Sequence, residues 1–241
     1  MKRFRIATFN IHKGRGLDGR TRVERIGRVL DELDADIVAL QEVVSREGPS
    51  NEDHQASFLA SRLGYVYAIG ETRKHRGGVY GNVTLSRHDF ELVRHVDLSV
   101  PQREERGVLR TDIRLGRHVI HVFNVHLGTS RRERETQATL LVDEIALKAI
   151  DISGPRIVLG DFNEWIHGLV TRTLSTEFHL TDLRDHLPQT RSYPAILPLL
   201  HLDHIYFDHQ LEIEKAWFQR NRLSLIASDH LPLVADLKVV G

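Results

Sequence analysis

The chain has 241 residues, with 33 Lys and Arg against 33 Asp and Glu, 41% hydrophobic residues and no cysteine. A formal net charge of zero excludes the strongly basic footprint of a nonspecific DNA binder, so any polyanion must be gripped locally. The lack of cysteine excludes a disulfide scaffold, a thiolate nucleophile and Cys-ligated zinc, leaving carboxylate, imidazole, amide and hydroxyl groups for chemistry. No run approaches the roughly 18 apolar residues of a membrane span. The start MKRFRIATFN passes from basic residues straight into an alternating strand, so the expected location is the cytoplasm.

Phe4, Ile6 and Phe9 read as a strand that ends at Asn10 and runs into a Gly-rich loop over 13–19. A capping box, Thr21 with Glu24, opens a helix that presents Val23, Ile26, Leu30 and Leu33 on one face. The short apolar run 37–40 stops at Gln41-Glu42 and reads as a buried strand beside the first, a βαβ-like start. A helix over 52–63 precedes strands over 65–69, 79–86, 91–98, 108–115 and 118–125, which read as an antiparallel meander. A second capping box, Ser130 with Glu133, opens a helix to about residue 150 with Ala138, Leu141, Ile145 and Ala149 on one face. The run 157–159 is another buried strand, ending at Asp161, and later strands are expected over 203–207, 212–218 and 231–239. No repeat, low-complexity tract or linker interrupts the chain, so residues 1–241 are expected to form a single domain. About twelve strands with three or four helices fit two sheets packed face to face with helices outside, a four-layer α/β sandwich.

The apolar strands stop at polar residues: Asn10 after RIATF, Glu42 after IVALQ, Asn124 and His126 in FNVHL, Asp161 and Asn163 in LGDFN. Asp203 starts LDHIYF, and Asp229-His230 stands in SDHLPL. Any one of these alone would serve as a cap or turn former. Repeated at strand after strand, they point to one edge where chain reversals gather strand ends around a cleft. Carboxylates and amides without cysteine form an oxygen-rich site suited to Mg²⁺ or Mn²⁺ and to phosphate esters. In such chemistry His230, with a carboxylate to orient it, can take a proton from water, while His126 and Asn163 can neutralise charge developing on phosphorus.

The motifs TFNIH, LQEV, GNVTLSR, NVHLG, GDFNEW, LDHIYF and SDHLPL cover nearly the whole chain. In that order they resemble the endonuclease/exonuclease/phosphatase superfamily of metal-dependent phosphoesterases. The resemblance implies that Glu42 binds the metal with Asn10 beside it, that Asp161 and Asn163 position the attacking water and the phosphate, and that Asp229 is a further metal-side carboxylate. It implies that His230 is a base or phosphate-polarising group oriented by Asp203, and that His126 is the catalytic histidine of the DNase and sphingomyelinase branches. It also implies a carboxylate before GN that would orient His126, for which Glu71 is the candidate. The family fold is likewise a four-layer α/β sandwich.

Asn124-Val125-His126-Leu127 stands where abasic-site endonucleases carry a tyrosine motif, and Leu199-Leu200-His201-Leu202 stands where they carry an aromatic wall, so that branch is disfavoured. The inositol phosphatases are disfavoured too, because GDFNEW runs on into a short segment. The substrate class left is a phosphodiester of nucleic acid or of a phospholipid headgroup; the alternatives are a phosphomonoesterase and a noncatalytic phosphate-binding module. No obligate protein partner is evident. Arg73, Lys74, His75 and Arg76 form a basic loop that could clamp a phosphodiester, with Arg131 and Arg132 at the mouth of the NVHLG loop and Asn124 as a further substrate contact. Trp165 reads as a packing anchor at a helix start rather than a substrate platform, His12 as a satisfied loop histidine with the cleft as its alternative, and the apolar segment 193–200 either as a lid packed on the core or as a contact for lipid or a base face.

Overall fold

The computed structural model describes residues 2–75, 77–147, 152–166 and 168–240. Arg76, the Ile145 side chain and residues 148–150 of the expected helix lie outside the described residues. The apolar strand pattern explains the architecture. In β1 (Arg3–Asn10), Phe4 and Ile6 point to one side while Ala7 and Phe9 point to the other, and all four are buried. A strand apolar on both faces must sit inside a sheet covered on both sides.

One six-stranded sheet combines β1, β2 (Ile37–Arg46), β3 (Val66–His75), β4 (Gly78–Ser86), β11 (Leu211–Phe218) and β12 (Leu233–Val239) in the order β11-β12-β1-β2-β4-β3. The other combines β5 (Phe90–Asp97), β6 (Gly107–Leu115), β7 (His118–His126), β8 (Arg156–Asp161), β9 (Thr181–Asp182) and β10 (Asp203–Phe207) in the order β5-β6-β7-β8-β10-β9. Each sheet holds one parallel pair near its centre, β1 with β2 and β7 with β8. Three apolar layers hold the sandwich together. Ile6, Ile37 and Ala39 meet Ile120, Val122, Ile157 and Ile205 between the sheets. Phe9, Val38 and Leu40 lie under α1 (Val23–Leu33) and α2 (Gln55–Leu63). Phe123, Val158 and Tyr206 lie under α3 (Arg131–Leu147) and α4 (Leu169–Thr176). This is a four-layer α/β sandwich.

Several local expectations change. The meander is divided: β3 and β4 join the first sheet beside β2, whereas β5, β6 and β7 belong to the second. The Thr21 capping box does not form. Arg22 occupies the N-cap of α1 without a side-chain bond, and Thr21 bridges Arg15 instead. Ser130 does accept the Glu133 N–H, at 3.5 Å. The short elements α4, α5 (Arg222–Ala227) and β9 carry too little periodicity to be read from sequence.

Candidate active site

Strand alternation places most of the site. Asn10 continues the inward row of Ile6 and Thr8, His126 that of Val122 and Asn124, and Asp161 that of Ile157 and Leu159, while Asp203 begins the row of Ile205. Register completes the placement, since Asp161 is paired with His126 across the parallel β7–β8 ladder and with Asp203 across the antiparallel β8–β10 ladder. Each polar residue thus caps the inter-sheet core at the end where the chain turns.

Glu42 breaks this rule. Gln41 takes the inward position and donates to Asn124 Oδ1 at 2.8 Å, and β2 continues past it instead of stopping. A register shift between Leu40 and Val43 and a φ of 56° at Glu42 turn its carboxylate into the cleft, as a β-bulge does beside many sites. His12, Lys13 and Asn163 also have positive φ, so four of the seven such non-glycine residues described fall at this site. Backbone strain is concentrated where side chains must be aimed.

Asn10 Nδ2 donates to Asp161 Oδ2 at 2.9 Å and to Glu42 Oε1 at 3.4 Å, bridging the two carboxylates. His126 Nε2 and His230 Nε2 stand 3.6 and 3.7 Å from the same Asp161 oxygen. Asp161 Oδ1 accepts the Asn163 N–H at 3.0 Å, and Asn163 Nδ2 donates to the Leu127 carbonyl at 2.9 Å. His230 Nδ1 pairs with Asp203 Oδ2 at 2.8 Å. Ser228 ties the SDH segment to β1 through its hydroxyl and the Asn10 carbonyl, 2.7 Å apart, which brings Asp229 to the rim. His12 Nδ1 lies 3.5 Å from Asp229 Oδ1, so this histidine faces the cleft rather than only satisfying its loop.

The two histidines flanking Asp161 differ in charge. Burial works against a proton on His230, but the carboxylates of Asp203, Asp161 and Asp229 outweigh it and raise its pKa to about 10. His126 is driven well below the usual imidazole value by burial and then by the Arg106 guanidinium. Arg106 Nη1 donates to His126 Nδ1 at 3.3 Å, which puts the His126 proton on Nε2, toward Asp161. Asp161 itself is raised to about 6 by burial and by Asp203, against the pull of His230. Glu42 is held at about 2 although burial pushes it upward, the carboxylate being favoured by the Lys13 ammonium 2.6 Å from Oε2 and by the Asn10 amide. Of the two roles expected of His230, base or phosphate-polarising group, these surroundings favour the second, since the carboxylates around it stabilise its charged form.

Other expected residues fall elsewhere. Asn124 is wholly buried, its amide spent on the Leu40 and Val83 carbonyls; it ties the two sheets and is closed to substrate. Arg73 pairs with Glu104 at 3.0 Å and stacks over Tyr80, and Arg131 pairs with Glu135 on the exposed face of α3. Glu71 pairs with Lys74, so Arg106 takes the place expected for it beside His126. Trp165 is 53% exposed and Ile166 71%, hence no packing anchor, and Ile196, Leu197 and Leu199 of the expected lid are 65%, 64% and 57% exposed. The residues missed are Lys13, in the Gly-rich loop after β1, and Arg106, in the charged stretch REERG; the only cue was that HKG follows closely on Asn10.

A model of the Endonuclease/Exonuclease/phosphatase family matches residues 7–230, which takes in every residue from Asn10 to His230. The chain belongs to this family. It is 31% identical to the Escherichia coli K12 protein YbhP over 249 aligned positions, covering 97% of this chain and 96% of that protein. An endonuclease/exonuclease/phosphatase structure from Beutenbergia cavernae superposes with a TM-score of 0.82 at 23% identity, over 100% of this chain and 72% of that one. A mannosyl-6-phosphatase from Bacteroides thetaiotaomicron superposes at 0.80 with 16% identity, over 98% and 99%. Both share the fold. Among the described residues no helix is long and apolar enough to cross a membrane.

Proposed function

We propose that residues 1–241 form one catalytic domain, a cytoplasmic Mg²⁺- or Mn²⁺-dependent phosphodiesterase that attacks phosphorus in line with an activated water. The observation that carries this reading is the convergence of Asn10, His126 and His230 on one oxygen of Asp161, beside Glu42. The donor set fits a hard cation. Glu42, Asn10 Oδ1 and Asp229 are oxygen ligands, and a cation, the Lys13 ammonium, already rests on Glu42. When bound, the ion supplies positive charge that neutralises the phosphate and polarises its oxygens.

The chain's own groups divide the remaining work. Asp161, poised at about 6 and steered by Asn10 and the Asn163 N–H, accepts the proton of the attacking water. His230, kept charged by Asp203, donates to a phosphoryl oxygen through Nε2–H. His126 donates from the other side as a neutral imidazole fixed by Arg106. The rim favours a phospholipid headgroup over a nucleic acid. Tyr193 packs on His230 at 4.9 Å, and Ala195 N–H reaches the Asp229 carbonyl at 2.7 Å, so the exposed Ile196, Leu197 and Leu199 border the cleft. Arg73 and Arg131, the residues suited to a polyanionic backbone, are spent on Glu104 and Glu135.

The deciding experiment incubates the protein and Mg²⁺ with phospholipid vesicles, plasmid DNA, RNA, bis-p-nitrophenyl phosphate and p-nitrophenyl phosphate. Headgroup release from vesicles with faster turnover of the diester than the monoester is expected. Hydrolysis of monoester alone makes the protein a phosphomonoesterase, and phosphate binding without turnover makes it a binding module.

A further inference from the structure

His204 follows Asp203 on β10 and therefore points to the opposite face of the sheet, away from the cleft. There it meets His201 and Asp182, and one ligand atom from each of the three residues lies within 4.8 Å of the others. Asp182 Oδ2 is 4.0 Å from His204 Nδ1, and the two imidazole rings stand edge to face with centroids 4.1 Å apart. The orientation of each group matters. His204 Nε2 lies 3.1 Å from the Glu164 carbonyl, which can only accept, so the proton is on Nε2 and the Nδ1 lone pair is turned toward Asp182. Tyr206 Oη, 3.2 Å from Nδ1, shares that space and also meets the Thr171 hydroxyl. Asp182 Oδ1 accepts the Arg184 N–H at 2.9 Å, and the carboxylate also takes the Tyr206 hydroxyl, which would give way to a metal or join it as a ligand.

His201 is 4% exposed, and its two ring nitrogens have no hydrogen-bond partner of normal geometry. The Thr190 backbone can answer at most one of them. Buried polar atoms left this way call for a ligand. An entry path exists, because a surface depression of about 380 Å³ lined by Thr181, Asp182 and Asp185 opens onto the carboxylate.

We propose that Asp182, His201 and His204 bind a transition-metal cation of the Zn²⁺ class in a structural site separate from the catalytic cleft. Two imidazoles and one carboxylate suit Zn²⁺ and are poor ligands for Mg²⁺, which wants oxygen throughout. Bonds of about 2.0–2.1 Å require ligand atoms roughly 3.3 Å apart in a tetrahedron, so a modest side-chain closure forms the site, with water or Tyr206 Oη as fourth ligand. The backbone carbonyl that receives His204 Nε2–H is the outer partner that metal-bound histidines use. The ion would fasten β9, which pairs with β10 through only two residues, and the segment at His201 to the strand that carries Asp203.

The test uses the full chain with Glu42→Gln, which weakens the catalytic cation site, stripped with chelator and titrated with Zn²⁺ against a chromophoric chelator in excess Mg²⁺. One Zn²⁺ per chain and a rise in Tm are expected. Co²⁺ in the same variant should give the intense visible bands of a tetrahedral site with nitrogen ligands. Asp182→Asn, which keeps the Arg184 cap, and His201→Phe, which keeps the ring volume, should each weaken Zn²⁺ binding at least about tenfold. Failure of the Glu42→Gln protein to bind Zn²⁺, or binding unchanged by Asp182→Asn in folded protein, overturns the proposal. Should His201→Phe fail to fold, the parent titration and Asp182→Asn decide the matter.

Discussion

The two faces of β10 carry similar groups and treat them in opposite ways. On the inner face His230 is buried among Asp203, Asp161 and Asp229 and its pKa rises to about 10. On the outer face His201 is equally buried, but burial is opposed there by only one carboxylate, Asp182, with the Arg184 guanidinium nearby, and its pKa falls to about 3. Burial opposes charge on both rings, so the number of carboxylates around each decides the outcome. A charged imidazole can donate to a phosphate, whereas a neutral one has a lone pair to offer a metal.

The sharpest way to break the contrast is to remove the catalytic cation. Chelation should abolish activity and Mg²⁺ should restore it, and Glu42→Gln should raise the Mg²⁺ concentration for half activity on the order of tenfold, read from a metal titration. Activity that survives exhaustive dialysis against EDTA would detach the inner face from metal chemistry. Next in size, Asp161→Asn and His230→Gln should each lower kcat by ~10²-fold or more, because each deletes a proton-transfer or charge-donating group. Melting temperatures close to the parent's would show that the loss is chemical, whereas parental kcat in either variant would refute its assigned role.

A smaller effect tests how His126 is kept neutral. Arg106→Met removes the cation beside Nδ1, so the His126 pKa should rise in imidazole NMR and kcat should fall about tenfold, with partial recovery in Arg106→Lys. An unmoved His126 resonance would make Arg106 merely a structural residue.

The smallest effects are slopes of stability against pH in metal-free protein, and they should have opposite signs. His230 is raised above its unfolded value of 6.5, so its contribution is complete below pH 6.5 and is lost as pH rises toward 10. His201 is lowered from 6.5 to about 3, so its contribution is present above pH 6.5 and is lost as pH falls toward 3. Denaturant melts should show the alkaline slope flattened in His230→Gln and the acid slope flattened in His201→Phe. Slopes that follow the wrong variant would refute the separation of the two faces.

Much of the inner face was legible because it rests on local periodicity. Alternation along β1, β7, β8 and β10 places Asn10, His126, Asp161 and Asp203 on the buried side, and any one-residue slip would have sent the whole apolar row to the wrong layer. Folded geometry alone decided the rest. Glu42 faces the cleft only because β2 bulges between Leu40 and Val43, a defect that no propensity marks. Asn124 looked like a substrate contact until the closing of the two sheets enclosed it against Leu40 and Val83.

The sequence by itself determined the strand rows, the absence of thiol chemistry and the polar residues that end each row, because side-chain alternation and composition are properties of the local chain. Tertiary structure decided which charges meet. Arg106 reaches His126 and Asp203 reaches His230 across 20 and 27 positions, and β9–β10 pairing sets Asp182 opposite Tyr206, within reach of His204 and His201. Whether a buried imidazole holds its proton depends on those distant partners, and no window of the chain contains them.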